Sequence, residues 1–160
     1  MHSKESRLWD VLAGVPDPEI PVVNIVELGI VRYVRWPDGA APRVGLTPTY
    51  VGCPATDVIR SAVRQALDAA GYADAVIEDV LSPPWSSDWL TASAHAKLAA
   101  FGIAPPERGA GATLDGAAAV RCPRCGSHAT RRLSEFGSTP CKAHYRCDAC
   151  LEPFDRFKCI

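Results

Sequence analysis

Apolar residues recur at helical spacing in three stretches of this chain. Residues 3–13 and 55–70 carry apolar side chains on one side of a helical wheel and polar side chains on the other, which predicts two amphipathic helices. The longer helix has Gly71 immediately after it, a residue suited to a left-handed helix end. Residues 93–101 are rich in alanine and predict a short third helix.

A strand-like pattern occupies the segments around the second helix. Residues 30–36 and 43–46 flank the turn Pro37-Asp38-Gly39, which predicts a β-hairpin whose second strand runs on towards Cys53. Residues 73–81 alternate as a third strand. The order helix, strand, strand, helix, strand predicts an α+β fold with the helices on one face of a small sheet.

The third helix is followed by a change of composition. Residues 102–119 are small and contain Pro and Gly, which predicts a flexible linker. We therefore expect an α+β domain over residues 1–101, the linker over 102–119 and a small module over 120–160.

Composition narrows the function classes. The formal net charge of −1 gives no global electrostatic reason to expect binding to nucleic acid or to an anionic membrane. The chain shows no apolar run long enough for a membrane helix, and its first residues lack the apolar core of a signal peptide. We expect a cytoplasmic protein that acts on neither nucleic acid nor membrane.

The clearest chemical signal lies in the C-terminal module. Six of the seven cysteines follow residue 120, and four of them form two Cys-x-x-Cys pairs that an intervening hairpin can bring together. In a reducing compartment this spacing favours a metal over disulfides, with zinc ahead of iron. The expected ligands are Cys122, Cys125, Cys147 and Cys150.

Further donors lie in or close to the same module. Cys141 and Cys159 fall outside the two pairs and are interpreted as small buried residues, the alternative being a second metal or cluster held transiently with Cys53. His128 and His144 are not expected to ligate, because four well-spaced cysteines already complete a site.

A single cysteine, Cys53, stands where the predicted strand leads into the second helix. Backbone N–H groups and the helix dipole stabilise a thiolate at such a position, although an inert, buried cysteine is the competing interpretation. Asp17 and Glu19 lie in a proline-rich turn upstream, where acidic residues commonly cap or solvate a loop.

Several motifs together resemble a known family. The N-terminal part resembles the MIP-eighteen-type domain of iron–sulfur assembly factors through residues 17–22, 28–31 and 47–55. The whole chain resembles the PaaD branch, accessory subunits of the phenylacetyl-CoA epoxidase system. That second resemblance is carried by Pro83-Pro84-Trp85, Asp88-Trp89, and residues 102–106, 122–125, 136–143 and 152–159.

The resemblance implies an accessory protein rather than an enzyme. It implies help in maturing the iron or iron–sulfur centres of the epoxidase, with Cys53 as the reactive cysteine and Asp17 and Glu19 in the neighbouring loop. The implied partners are the oxygenase and reductase subunits, and the implied cofactors are zinc and a transient iron–sulfur cluster or iron.

Two other functions stay open at this point. In the first, the chain is a structural scaffold subunit that binds the oxygenase. In the second, its locally basic tail is a zinc ribbon that binds nucleic acid. A homodimer through sheet edges is a further expectation, because small sheets often pair in this way.

Overall fold

The computed structural model describes residues 3–107 and 120–158. The chain divides into two compact units, Met1–Trp85 and Ser86–Ile160. No helix in those two described ranges is long and apolar enough to cross a membrane.

The first unit has the predicted α+β order of elements. Strands β1 and β2 form an antiparallel hairpin, and β2 pairs in parallel with β3, so the sheet order is β1-β2-β3. The parallel pair requires a crossover connection, which α2 provides. The elements are α1 Lys4–Ala13, β1 Val31–Arg35, β2 Arg43–Leu46, α2 Ala55–Ala69 and β3 Val76–Asp79.

The core of the first unit comes from the residues that the helical and strand patterns marked as apolar. Leu8 and Leu12 of α1, Val63 and Leu67 of α2 and Val44 of β2 are fully buried. The indole Nε1 of Trp85 donates a hydrogen bond to the Leu28 carbonyl at 2.9 Å, and only 3% of Trp85 is exposed. This tryptophan therefore seals the unit rather than facing a partner.

Strand β2 is shorter than the sequence pattern indicates, because it ends at Leu46 instead of continuing to Cys53. Thr47 adds one last backbone bond to Ile30, at 2.8 Å, and its Oγ1 donates to the Val80 carbonyl at 2.7 Å. Pro48 then follows, and proline has no N–H with which to continue the ladder. The segment from Pro48 to Pro54 is consequently a loop.

The second unit contains α3 and a four-stranded sheet of order β4-β7-β6-β5. β4 pairs in parallel with β7, and the other neighbours are antiparallel. The hairpin predicted between the two Cys-x-x-Cys pairs is β5–β6. The elements are a 3₁₀ turn at Ser87–Trp89, α3 Ala92–Phe101, β4 Ile103–Ala104, β5 Thr130–Ser134, β6 Lys142–Cys147 and β7 Pro153–Phe157.

The division between the units differs from the sequence-based boundary. Composition assigns helix α3 to the first domain and residues 103–104 to the linker, whereas both belong to the second compact unit. The cause is the β4–β7 pairing, a long-range contact that local composition does not encode. Residues 108–119 of the predicted linker lie outside the described part of the chain.

Aromatic packing fills the second unit. Tyr145 and Phe154 stack with ring centroids 5.8 Å apart, and Phe157 is 2% exposed. Phe136, an aromatic residue of the same hairpin, does not join them and is 62% exposed. It lies in the β5–β6 loop with Lys158 Nζ 4.2 Å from its ring centroid.

Candidate functional site

The two Cys-x-x-Cys pairs converge on one point in the second unit. Cys122 and Cys125 lie on the turn before β5, while Cys147 ends β6 and Cys150 lies on the turn before β7. All four sulfurs lie within 4.8 Å of one another. The Sγ atoms of Cys122 and Cys150 are 3.8 Å apart, and those of Cys125 and Cys147 are 3.6 Å apart.

These distances fit a tetrahedral metal ion. A tetrahedron with metal–sulfur bonds of about 2.3 Å has sulfur–sulfur edges of about 3.8 Å, close to the separations seen here. Backbone groups already point at the sulfurs: the N–H of Arg124 donates to Cys122 Sγ at 3.4 Å, and that of Cys150 donates to Cys147 Sγ at 3.5 Å. The donor set and its geometry therefore suit zinc.

The surroundings of Cys147 and Cys150 shift the pKa values of these two thiols in opposite directions. The backbone N–H of Cys150 lowers the pKa of Cys147 to about 7, against the opposing effect of burial. The pKa of Cys150 is raised to about 12: the backbone N–H of Glu152 lowers it, but burial and the neighbouring thiols outweigh that effect. Four adjacent thiolates need a cation to coexist, and a bound metal ion supplies it.

Each cysteine pair is followed by a residue in the left-handed backbone conformation. Gly126 follows Cys125 with φ of 77°, a conformation that glycine adopts without strain. Leu151 takes the equivalent position after Cys150 with φ of 64°, and it is the one non-glycine residue with positive φ in the described part of the chain. No local pattern predicts this conformation, since leucine disfavours it.

The other described donors of the ribbon (residues 120–158), Cys141, His128 and His144, are not members of the four-cysteine group. That group contains no histidine, and His144 Nδ1 lies 3.0 Å from a carboxylate oxygen of Asp155. Cys141 is 6% exposed, with its sulfur 3.0 Å from Thr139 Oγ1. Cys159 lies outside the described residues, so its role stays a prediction.

One cluster in the ribbon was missed by sequence reasoning, although three of its members, Ser138, Lys142 and Asp155, fall in two of the quoted motifs. Asp155 of β7 accepts a hydrogen bond from Ser138 Oγ at 2.9 Å and lies 4.0 Å from Lys142 Nζ. Burial raises the pKa of Asp155, but the bonds to His144 and Ser138 and the charge of Lys142 bring it below its ordinary value. The carboxylate therefore ties the β5–β6 loop to β7 as an anion.

In the first unit, Cys53 lies in the loop that precedes α2. It is half-buried; its N–H donates to the Tyr50 carbonyl at 3.3 Å, and its own carbonyl accepts from Thr56 N–H at 3.1 Å. Pro54 is the N-cap residue of α2 and makes no side-chain capping hydrogen bond. Val51, in the same loop as Cys53, is 93% exposed. Cys53 thus adjoins the first turn of the helix and an exposed loop.

Asp17 and Glu19 are placed differently from each other. Asp17 is 8% exposed, and its Oδ1 accepts hydrogen bonds from the backbone N–H groups of Glu19 at 2.9 Å and Ile20 at 2.7 Å. This carboxylate caps its own turn, the structural interpretation given above for acidic residues in such a loop. Glu19 is an exposed residue.

Each of the two units contains residues that match the model of a known protein family. The family model for an iron–sulfur cluster assembly protein matches residues 5–78, and that for the PaaD zinc beta ribbon domain matches residues 106–158. A crystal structure of the domain of unknown function DUF59 from Bacillus anthracis superposes with a TM-score of 0.54 at 31% identity, covering 59% of this chain and 90% of that one.

Two curated relatives extend the comparison. The chain is 33% identical to the Fe-S protein maturation auxiliary factor YitW of Bacillus subtilis strain 168, over 59% of this chain and 91% of that protein. It is 48% identical to a putative 1,2-phenylacetyl-CoA epoxidase subunit of Escherichia coli strain K12, over 96% of this chain and 92% of the relative.

The fold and the site define the class first: an α+β domain of the iron–sulfur assembly type joined in one chain to a four-cysteine β-ribbon. Identity across almost the full length of the epoxidase-subunit relative then fixes the branch. The chain belongs to the PaaD family.

Proposed function

We propose that this chain is an accessory protein of a phenylacetyl-CoA epoxidase system that helps to assemble the iron or iron–sulfur centres of that system. The observation that carries the proposal is the joining of an assembly-type domain, with a half-buried cysteine in an exposed loop, to a metal-binding ribbon. The names of the relatives, a subunit of the epoxidase and a maturation auxiliary factor, support the same role.

Cys53 is the proposed contact for iron or cluster. Cys53 is half-buried and Val51, two residues before it, is almost fully exposed, so this loop offers a client protein a surface next to the cysteine. Cys53 directly precedes Pro54, the N-cap residue of α2, and cysteine sulfur is a preferred ligand of iron and of iron–sulfur clusters. Because Asp17 is already committed to its own turn, we assign it a structural role, and we assign the exposed Glu19 as the acidic residue that faces a client.

The ribbon is proposed to hold zinc at Cys122, Cys125, Cys147 and Cys150 and to dock on the oxygenase or reductase subunit. A saturated four-sulfur site offers no open coordination position, so its role is to hold the ribbon fold. We place the chain in the cytoplasm with that enzyme system and assign it no catalytic activity of its own.

The test is co-expression of the epoxidase subunits with the full chain carrying Cys53→Ala. We expect the variant to keep its zinc and its binding to the epoxidase while the co-purified oxygenase or reductase contains less iron. Cys141→Ala is the matched control, because Cys141 is a buried thiol in the other unit. Full iron loading with Cys53→Ala would overturn the maturation role, and retained complex formation would then identify a scaffold subunit.

A further inference from the structure

A metal ion held by four thiolates needs compensating charge. Four thiolates outweigh the charge of one divalent ion, so the centre is an anion near the protein surface, where Cys125 is exposed. A cavity of about 740 Å³ opens beside Cys122 and Cys125, and three of its lining residues are arginines: Arg121, Arg124 and Arg156. Arg121 precedes the first cysteine pair and Arg124 lies within it, and the two side chains make different contacts.

Arg121 lies over the first cysteine turn. Its Nη2 and Nε atoms are 3.2 Å and 3.4 Å from the position that a Cβ on Gly126 would occupy. Gly126 directly follows Cys125, so the guanidinium packs against the backbone that shapes this ligand turn. None of the ion pairs formed among the described residues includes Arg121, which lines the same cavity as Cys122 and Cys125.

Arg124 has the same charge and lies between the two cysteines in sequence, but it reaches a different feature. Its Nε lies 4.0 Å from the Cβ position of Gly102, the residue that caps the C-terminal end of α3. That helix has no basic residue in its last turn, so Arg124 supplies the cation that its dipole favours.

We propose that Arg121 is the counter-charge of the four-cysteine metal centre: a positioning residue that strengthens metal retention and makes the bound thiolates less nucleophilic. A nearby cation stabilises the anionic complex relative to the metal-free thiols and withdraws electron density from sulfur. The inference requires metal at this site and is independent of Cys53 and of the client protein.

The test measures zinc release from the zinc-loaded full chain when N-ethylmaleimide alkylates the bound thiolates, followed with a chromogenic chelator. The cavity beside Cys122 and Cys125 gives this small electrophile access. We expect Arg121→Gln to release zinc about threefold faster than the parent chain, the size of effect that one partly exposed charge exerts. Arg124→Gln is the matched control: it keeps the backbone N–H that donates to Cys122 Sγ and removes only the guanidinium next to Gly102, so zinc should be released at the parent rate.

Two further measurements separate charge from packing. Arg121→Lys keeps the charge and should restore most of the parent rate, and high salt should bring the parent rate towards that of Arg121→Gln through screening. A parent-like rate for Arg121→Gln, an equal acceleration in Arg124→Gln, or an acceleration that salt and lysine leave unchanged would overturn the proposal. Cys53→Ala should not alter the rate, so this result stands apart from the maturation test.

Discussion

Replacing Asp155 with asparagine removes the charge around which the β5–β6 loop is held. The asparagine amide keeps the shape of the carboxylate but weakens the bonds to Ser138 and His144. It also leaves Lys142, whose side chain is 5% exposed, without its nearby counter-charge. Losing charge-assisted bonds and leaving a buried cation uncompensated together cost about 2–4 kcal/mol of ribbon stability.

Hydrogen exchange measures this loss separately in each unit, which a single melting curve of a two-unit chain does not. In the zinc-loaded full chain, the amides of β6 should exchange at least about thirtyfold faster in Asp155→Asn, because roughly 1.4 kcal/mol corresponds to a tenfold change in the opening equilibrium. Amides of α2 should be unchanged. Asp148→Asn is the control, because the Arg131–Asp148 pair is half exposed and such pairs contribute about 0–1 kcal/mol.

The pH dependence follows from the lowered pKa of Asp155. Because the folded pKa lies below the unfolded value of about 3.9, the stabilisation is complete above that pH and is lost as the pH falls through the folded pKa. The difference between parent and variant should therefore be full at neutral pH and shrink in acid. Equal β6 exchange in parent and Asp155→Asn at neutral pH would refute the role of this carboxylate.

Three further predictions concern other parts of the chain. Gly126→Ala forces an L side chain into positive φ and against Arg121, and should weaken zinc binding by about 1–2 kcal/mol in a competition titration. Gly71→Ala, also at positive φ but with open space, should leave zinc affinity unchanged. Glu78→Gln removes the carboxylate that accepts from the Tyr33 hydroxyl at 2.6 Å and raises the pKa of Tyr33, so tyrosinate absorbance should appear at lower pH in the variant; an unshifted titration would contradict this. Removing metal with a chelator should abolish exchange protection in β5–β7 while α2 stays protected, and a ribbon that keeps its protection would show that its fold does not need the metal.

Local patterns were enough to predict the secondary-structure order of the first unit and the grouping of the four cysteines. Helical and strand periodicity are local properties, and the Cys-x-x-Cys spacing restricts each pair to one turn. The end of β2 was missed because it depends on how Thr47 bonds across the sheet before Pro48. The position of β4 depends on pairing with β7, about fifty residues away, which no local pattern reports.

The Asp155 cluster and the exposure of Phe136 were also beyond local reasoning. The β5–β6 loop joins Asp155 only through the register of β6 against β7, which sets His144 opposite Asp155. In the sequence, Ser138 and Lys142 are ordinary polar residues; the structure places Ser138 in the β5–β6 loop and Lys142 at the start of β6. Their role emerges only when the strand register brings one carboxylate among them.

The thiols of the two units differ in whether they can bind iron or a cluster that is passed to a client. This difference indicates which cysteine takes part in such a transfer. In the ribbon, all four paired cysteines are engaged with one another, and a tetrahedral ion that uses every sulfur has no position left for a ligand to be transferred. Cys141 is buried, whereas Cys53 adjoins an exposed loop and is outside that group. If this chain passes iron or a cluster to a client, the described thiol that can take part is therefore Cys53. An iron-dependent absorption band that survives Cys53→Ala in anaerobically purified protein would contradict this assignment.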